Sequence, residues 1–395
     1  MPPLIFRKGL DLKDAVAGQL AESYHSGLVQ RIKAEGYRFT AGRLTVHLAQ
    51  EFGFCYGVDR AVDYAYQART RFPDRAVFLT GEIIHNPHVN DQLRSLGIRF
   101  LSDSDEDAAR LGPDDVVILP AFGVTIATLR DLSARGCTLV DTTCGSVLNV
   151  WKNVKRYAQD GFTSVIHGKY WHEETQATAS QALQYANGHY LVVYDQDEAS
   201  SICEHIRRRG STTDFLARFG NAVSPGFSPD LQLERIGLAN QTTMLSSESL
   251  AIGEQFREAM RDRYGEAELP HRFRAFDTIC SATQDRQNAV LQLLDQEPLD
   301  LMLILGGYNS SNTCNLARIC DGRLPAYHIT NPECLVSREA IRFKPVGVAE
   351  ETVATGWLPA AGPVRLGLTA GASTPDNLVE RVIRTVDEFC NGPRG

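Results

Sequence analysis

Val140-Asp-Thr-Thr-Cys144-Gly-Ser-Val147 is the stretch from which the fold is read. A short apolar run ends in it, small polar residues make a turn, and a helical pattern follows. The same order recurs from residue 44 onward. Its apolar runs are Ala76-Val-Phe-Leu-Thr80, Val116-Val-Ile-Leu119, Ser164-Val-Ile166, Tyr190-Leu-Val-Val-Tyr194, Leu301-Met-Leu-Ile-Leu305 and Val364-Arg-Leu-Gly-Leu-Thr369. Short apolar runs alternating with helices predict an α/β protein whose small parallel sheets are covered by helices. In such sheets the chemistry gathers in loops beyond the strand C-termini.

Ahead of the first run, residues 1–44 read as a helical N-terminal extension packed on the main body, with apolar spacing at Leu20, Tyr24, Leu28 and Ile32. Two segments break the rhythm, Asp214 to Gly237 and Pro345 to Pro363, and both read as insertions or inter-unit loops. At roughly 150 residues per domain, a chain of 395 residues suggests two to three domains. Its formal net charge of −8, with no basic run, argues against nucleic-acid binding. A membrane span needs about 18 consecutive apolar residues, and none exists. Met1 to Phe6 is too short for a signal-peptide core, and Asp11, Asp14, Glu22 and Glu35 are unlike a transit peptide, so the expected compartment is the cytoplasm.

Nine cysteines, an odd number spread along a large chain, make a disulfide framework improbable. Three share a context: Glu51-Phe-Gly-Phe-Cys55-Tyr-Gly-Val-Asp-Arg60, Val140-Asp-Thr-Thr-Cys144, and Phe276-Asp-Thr-Ile-Cys280-Ser-Ala-Thr-Gln-Asp-Arg286. Each follows a strand-like run and opens a helical pattern. A thiolate at a helix N-terminus is stabilised by the dipole and the free N–H groups, which favours the metal-ligand form. Three such thiolates suit an iron-sulfur cluster with one open iron, although buried cysteines at strand ends fit the wide spacing equally well. Cys137, Cys203, Cys314, Cys320 and Cys390 lack the context and read as core.

The polar loops carry the second signal. Ile166-His-Gly-Lys169-Tyr-Trp-His172-Glu-Glu174 sets a histidine and a carboxylate two residues apart beside a lysine, which suits phosphate recognition and proton delivery; simple helix capping is the alternative. Glu82-Ile-Ile-His85-Asn86, Asn309-Ser310-Ser311-Asn312-Thr313 and Ala370-Gly371-Ala-Ser373 are donor-rich loops after strands, each an anion site or an ordinary cap. Asn240-Gln241-Thr242-Thr243 adds hydroxyls and amides. Neither GxGxxG nor a P-loop occurs, so electrons would come from a protein donor.

In their order, Phe54-Cys55-Tyr-Gly-Val-Asp-Arg, Ile84-His85-Asn, Asp141-Thr-Thr-Cys144, His172-Glu-Glu174, Gln241-Thr-Thr243, Ile279-Cys280-Ser-Ala-Thr, Asn309-Ser-Ser-Asn312 and Thr369-Ala-Gly-Ala-Ser373 resemble the motif series of the 4-hydroxy-3-methylbut-2-enyl diphosphate reductase family. That family supplies the last enzyme of the methylerythritol phosphate route to isoprenoids. The resemblance implies three pseudo-threefold-related α/β units around a central [4Fe-4S] cluster, with unit boundaries at 45–143, 144–279 and 280–395. It implies that Cys55, Cys144 and Cys280 hold the cluster, that Glu174 with Thr242 delivers protons, and that His85, His172, Ser310, Ser311, Asn312 and Ser373 hold the diphosphate. An allylic diphosphate substrate and an electron-donor protein such as ferredoxin or flavodoxin are the implied partners.

At one place the chain departs from the commoner bacterial pattern. Ala-His-Gly-Val is replaced by Ala121-Phe122-Gly123-Val124, so one phosphate donor is missing. In this, in the His-Gly-Lys-Tyr run and in the extension it resembles the plant and cyanobacterial branch. Lys169 is the expected replacement charge. Two other classes would use the same cysteines: an iron-sulfur hydro-lyase, which needs no electrons, and an iron-sulfur sensor, which usually carries a nucleic-acid module that is not evident here.

Overall fold

The computed structural model describes residues 4–276 and 278–393; Met1 to Pro3 of the start and Asp277 of the repeated Asp-Thr-x-Cys lie outside the described residues. The chain forms two compact units, one from Met1–Ile5 with Asp105–Cys280 and the other from Phe6–Ser104 with Ser281–Gly395.

In the first unit, four parallel strands stand in the order Phe273–Ala275, Ile236–Asn240, Thr163–His167, Tyr190–Val193. Thr163–His167 and Ile236–Asn240 are buried at every position, the pattern of strands covered on both faces. Val165, Leu191, Val193, Ile236 and Leu238 pack with Ile202, Phe215, Phe256 and Met260 from the helices. A separate parallel pair joins Val116–Leu119 to Thr138–Asp141, the strand that runs into Cys144.

The second unit is built on Ala326–Ile329, Leu301–Leu305, Val364–Ala370, Leu44–Leu48 and Arg38–Ala41 in that order, parallel except for the last. Leu301-Met-Leu-Ile-Leu305 is buried throughout, so the unbroken apolar run is a central strand rather than a half-exposed one. The helix Asp376–Asn391 lays Leu378, Val379, Val382, Ile383 and Val386 against this sheet. A shorter parallel pair joins Val77–Leu79 to Arg99–Phe100.

Every apolar run singled out in the sequence contains a strand, while three segments differ from their reading. The extension holds the helices Lys13–Tyr24 and Gly27–Ala34, but Arg38–Ala41 is a strand paired antiparallel to Leu44–Leu48. Ser26 accepts the Val29 N–H and starts a second helix where the spacing suggested one. Residues 214–237 are more structured than a loop, since the helices Thr212–Phe219 and Pro229–Gln232 bury Phe215, Phe219 and Pro229. Within 345–363, Thr352–Thr355 pairs antiparallel with Ala340–Phe343, a two-stranded ribbon without an unbroken apolar run.

Candidate functional site

Of the twelve expected site residues, six fall in each unit. Cys144, Lys169, His172, Glu174, Thr242 and Cys280 lie in the first; Cys55, His85, Ser310, Ser311, Asn312 and Ser373 lie in the second. Within each unit, backbone and side-chain hydrogen bonds tie a cysteine-bearing turn to polar loops.

In the first unit the strand Thr138–Asp141 ends in the Thr142-Thr143 turn, and Cys144 is the N-cap of the helix Gly145–Gln159. Asp141 Oδ1 accepts from Thr143 N and Oγ1, which closes the turn locally. Cys144 N donates to Ala121 O at 2.8 Å, and the neighbouring Phe122 ring meets the His172 ring edge to face, centroids 6.2 Å apart. The phenylalanine thus occupies the side of His172, as a packing group and not as a donor.

His172 caps the helix Glu173–Ala182: its Nδ1 accepts the Glu174 N–H at 3.1 Å. The capping alternative is therefore real, yet it does not exclude the chemical one. An accepting Nδ1 places the neutral ring's proton on Nε2, which becomes a donor. Glu174 is 3% exposed, and its Oε1 accepts the backbone N–H of Thr242 at 2.6 Å. Thr242 O in turn accepts from Cys280 N at 3.2 Å. Just before this turn, Thr278 Oγ1 accepts from Asn240 N at 2.6 Å and holds the Cys280 segment to the end of the strand Ile236–Asn240.

Lys169 is positioned through its backbone. Its N–H donates to Gln241 Oε1, which also accepts from Thr175 Oγ1, both at 3.1 Å. Gln241 is fully buried and brackets the 167–175 loop against the 240–243 loop. Sequence reasoning quoted Gln241 but did not see this role, because a bracket between loops has no signature in one segment.

In the second unit Cys55 is the N-cap of the helix Tyr56–Arg71, without a side-chain cap bond, and Cys55 N donates to Ala372 O. Ala372 N donates to Asn312 Oδ1 at 2.9 Å, and Ser373 Oγ donates to His85 O at 3.2 Å. Asn312 is 2% exposed and its Nδ2 has no partner among the described residues, an amide oriented through its oxygen. Ser310 caps the helix Ser311–Cys320 by accepting the Thr313 N–H; Ser310 and Ser311 are both buried. The helix Pro87–Ser95 is capped by Asn86, so capping does not explain His85.

Two residues beside His85 were missed. Glu82 Oε2 accepts from His85 Nδ1 at 2.8 Å and from Asn309 Nδ2 at 2.9 Å. Burial works to raise the Glu82 carboxyl, but the hydrogen bonds from His85 and Asn309 and the charges of His85 and Arg94 outweigh it and hold the group below the usual carboxylate range. The pair orients the ring, and Glu82 at three residues before His85 was the available signal. Gly307 is needed for close approach: a Cβ there would stand 2.4 Å from His85 O.

All nine cysteines are free; Cys314, expected in the core, is part exposed with its Sγ donating to Tyr308 O, and seven others divide by environment. Burial pushes the Cys203 and Cys320 thiols up to about 12 and also raises Cys137 and Cys390. Cys55, Cys144 and Cys280 are instead part exposed at helix starts. Among the described residues no helix is long and apolar enough to cross a membrane.

Comparison with known proteins agrees in extent and order. The family described as LytB protein matches residues 46–387. A 4-hydroxy-3-methylbut-2-enyl diphosphate reductase from Thermosynechococcus vestitus is 46% identical over 383 residues, covering 96% of this chain and 93% of its own length. One from Gloeobacter violaceus is 48% identical over 392 residues, covering 97% and 92%. A solved structure of (E)-4-hydroxy-3-methyl-but-2-enyl diphosphate reductase, described as the terminal enzyme of the non-mevalonate pathway, aligns with TM-score 0.51 at 27% identity over 87% of this chain and 99% of that one. The reductase structure from Plasmodium falciparum shares the fold, with TM-score 0.59 at 18% identity and 86% of each chain covered.

Proposed function

The chain belongs to the LytB protein family, and from that membership we infer that it reduces (E)-4-hydroxy-3-methylbut-2-enyl diphosphate to isopentenyl and dimethylallyl diphosphate. Two electrons and two protons enter, the bond from C4 to the hydroxyl oxygen breaks, and water leaves. The same reading takes residues 1–44 as an extension and 45–143, 144–279 and 280–395 as three related units, with the cytoplasm as the compartment.

A [4Fe-4S] cluster held by Cys55, Cys144 and Cys280 would supply the electron-transfer centre and a Lewis acid at its open iron. The donor set fits such a group. Cys55 and Cys144 cap helices without spending their sulfur on the cap, whereas the buried cysteines sit where burial disfavours the thiolate. An electron-donor protein of the ferredoxin or flavodoxin kind completes the system.

The observation that carries the reading is Glu174, a buried carboxyl held by the Thr242 N–H on the loop that also anchors Cys280. In this role Glu174 delivers a proton to the departing hydroxyl. In the same reading His172, His85, Ser310, Ser311, Ser373 and Asn312 hold the diphosphate, Asn312 through its Nδ2. Hydroxyl and amide donors hold a multiply charged anion without burying several full cations. Lys169 compensates for the donor absent at Phe122.

Anaerobic single turnover of the reduced protein with the allylic diphosphate is the test. Both isopentenyl and dimethylallyl diphosphate should form, and only when reducing equivalents are present. Conversion without electrons would point to a hydro-lyase instead.

A further inference from the structure

The second unit holds a buried cation that no described carboxylate pairs with. Arg286, on the helix Ser281–Gln296, is 3% exposed. Its Nη1 donates to Ala282 O at 2.8 Å and its Nη2 to Gly53 O at 2.7 Å, while Nε has no partner among the described residues. Among the described residues no carboxylate pairs with it. Asp376 stands beside Gly53, where a Cβ would lie 3.0 Å from its Oδ1, but Asp376 is paired with Lys33 at 3.2 Å.

A desolvated guanidinium satisfied only by carbonyls is costly, and such groups are normally retained beside an anion. The carbonyl it grips belongs to Gly53, at φ +78°, two residues before Cys55. Two residues of chain reach at most about 7 Å. The fixed charge is therefore built into the turn that presents one of the three thiolates. Arg286 also closes the Asp285-Arg286 pair that follows Cys280, as Asp59-Arg60 follows Cys55.

We propose that Arg286 is the counter-charge of the iron-sulfur cluster and raises its reduction potential. This rests on the cluster assignment above. A cluster with three thiolates is net anionic and becomes more so with each electron accepted, so a fixed cation in a low-dielectric setting favours the reduced state.

The test uses the full chain, reconstituted without oxygen, and reads the midpoint potential by redox titration followed by electron paramagnetic resonance. Arg286→Gln keeps a donor for Gly53 O and loses the charge; it should make reduction about tenfold less favourable, a shift of about 59 mV to more negative potential for one electron. Arg286→Lys keeps the charge and loses the fork, and its potential should stay near wild type. A wild-type potential in Arg286→Gln, or an equal fall in both variants, would overturn the proposal. Should Arg286→Gln fail to fold, a lowered potential in Arg286→Lys decides against the charge by itself. If the wild type takes up no cluster, it is the cofactor assignment that fails, and this is seen before any variant is compared.

Discussion

Glu174 Oε1 accepts the backbone N–H of Thr242 at 2.6 Å, so the two residues expected to share proton delivery are joined through the main chain and not through the threonine hydroxyl. The carboxyl is thereby oriented by a group that every substitution at 242 except proline keeps. Both residues are buried, which keeps competing water from the contact.

Glu174→Gln keeps the shape and an acceptor oxygen for the Thr242 N–H but cannot give up a proton as an acid does. Turnover should fall by about two orders of magnitude or more, the usual scale for losing a general acid, with cluster absorption unchanged. Steady-state kinetics under anaerobic conditions checks this, and near-normal turnover would remove Glu174 from the role.

Serine in place of Cys55, Cys144 or Cys280 should abolish the brown colour of the anaerobically purified protein. Alanine in place of Cys203 or Cys320 should leave it, because burial holds those thiols at about 12 and protonated at neutral pH. Absorption spectra and iron counts on the five variants separate ligands from bystanders.

Lys169→Ala tests whether the lysine replaces the donor lost at Phe122. The KM for the diphosphate substrate should rise well above wild type while kcat changes little, the sign of lost ground-state binding. An unchanged KM would rule the compensation out.

His328 makes folding stability depend on pH. Burial lowers its imidazole to about 4, against a smaller opposing effect of the hydrogen bond to Gly306 O and with a further lowering by Lys344. Above the unfolded value near 6.5 both states are neutral and stability is full; as pH falls toward 4 the unfolded chain takes up a proton that the folded chain refuses. The loss over that window is about 3 kcal/mol at most. Burial lowers His47, His88, His189 and His205 as well, so the acid limb is shared. Urea titrations from pH 7.5 to 4 should show the fall, and a shallower one in His328→Phe; equal slopes would contradict the assignment.

The strands were legible because a parallel strand covered on both faces needs an unbroken apolar run, and Leu301–Leu305 or Val116–Leu119 are little else. The strands Arg38–Ala41 and Thr352–Thr355 were not, since edge strands with exposed faces carry no such run. Helix starts at Cys144 and Ser310 followed from small residues at strand ends. His172 shows the limit of that logic: a capping histidine and a phosphate donor look alike in sequence, and only the geometry shows that the cap is made through Nδ1.

By itself the sequence determined the residue types and their order: three cysteines in like turns, a His and Glu after one strand, and hydroxyls and amides after others. Those are local facts, set by which groups can be a thiolate, an acid or a donor. Tertiary structure decided how they are held. The Glu174 bond to Thr242, the Gln241 bracket behind Lys169, the Glu82 grip on His85 and the Arg286 hold on the Cys55 turn bring together segments far apart in the chain or fix a ring's orientation. Such pairings depend on where the sheets deliver their loops, and no single stretch of sequence encodes that.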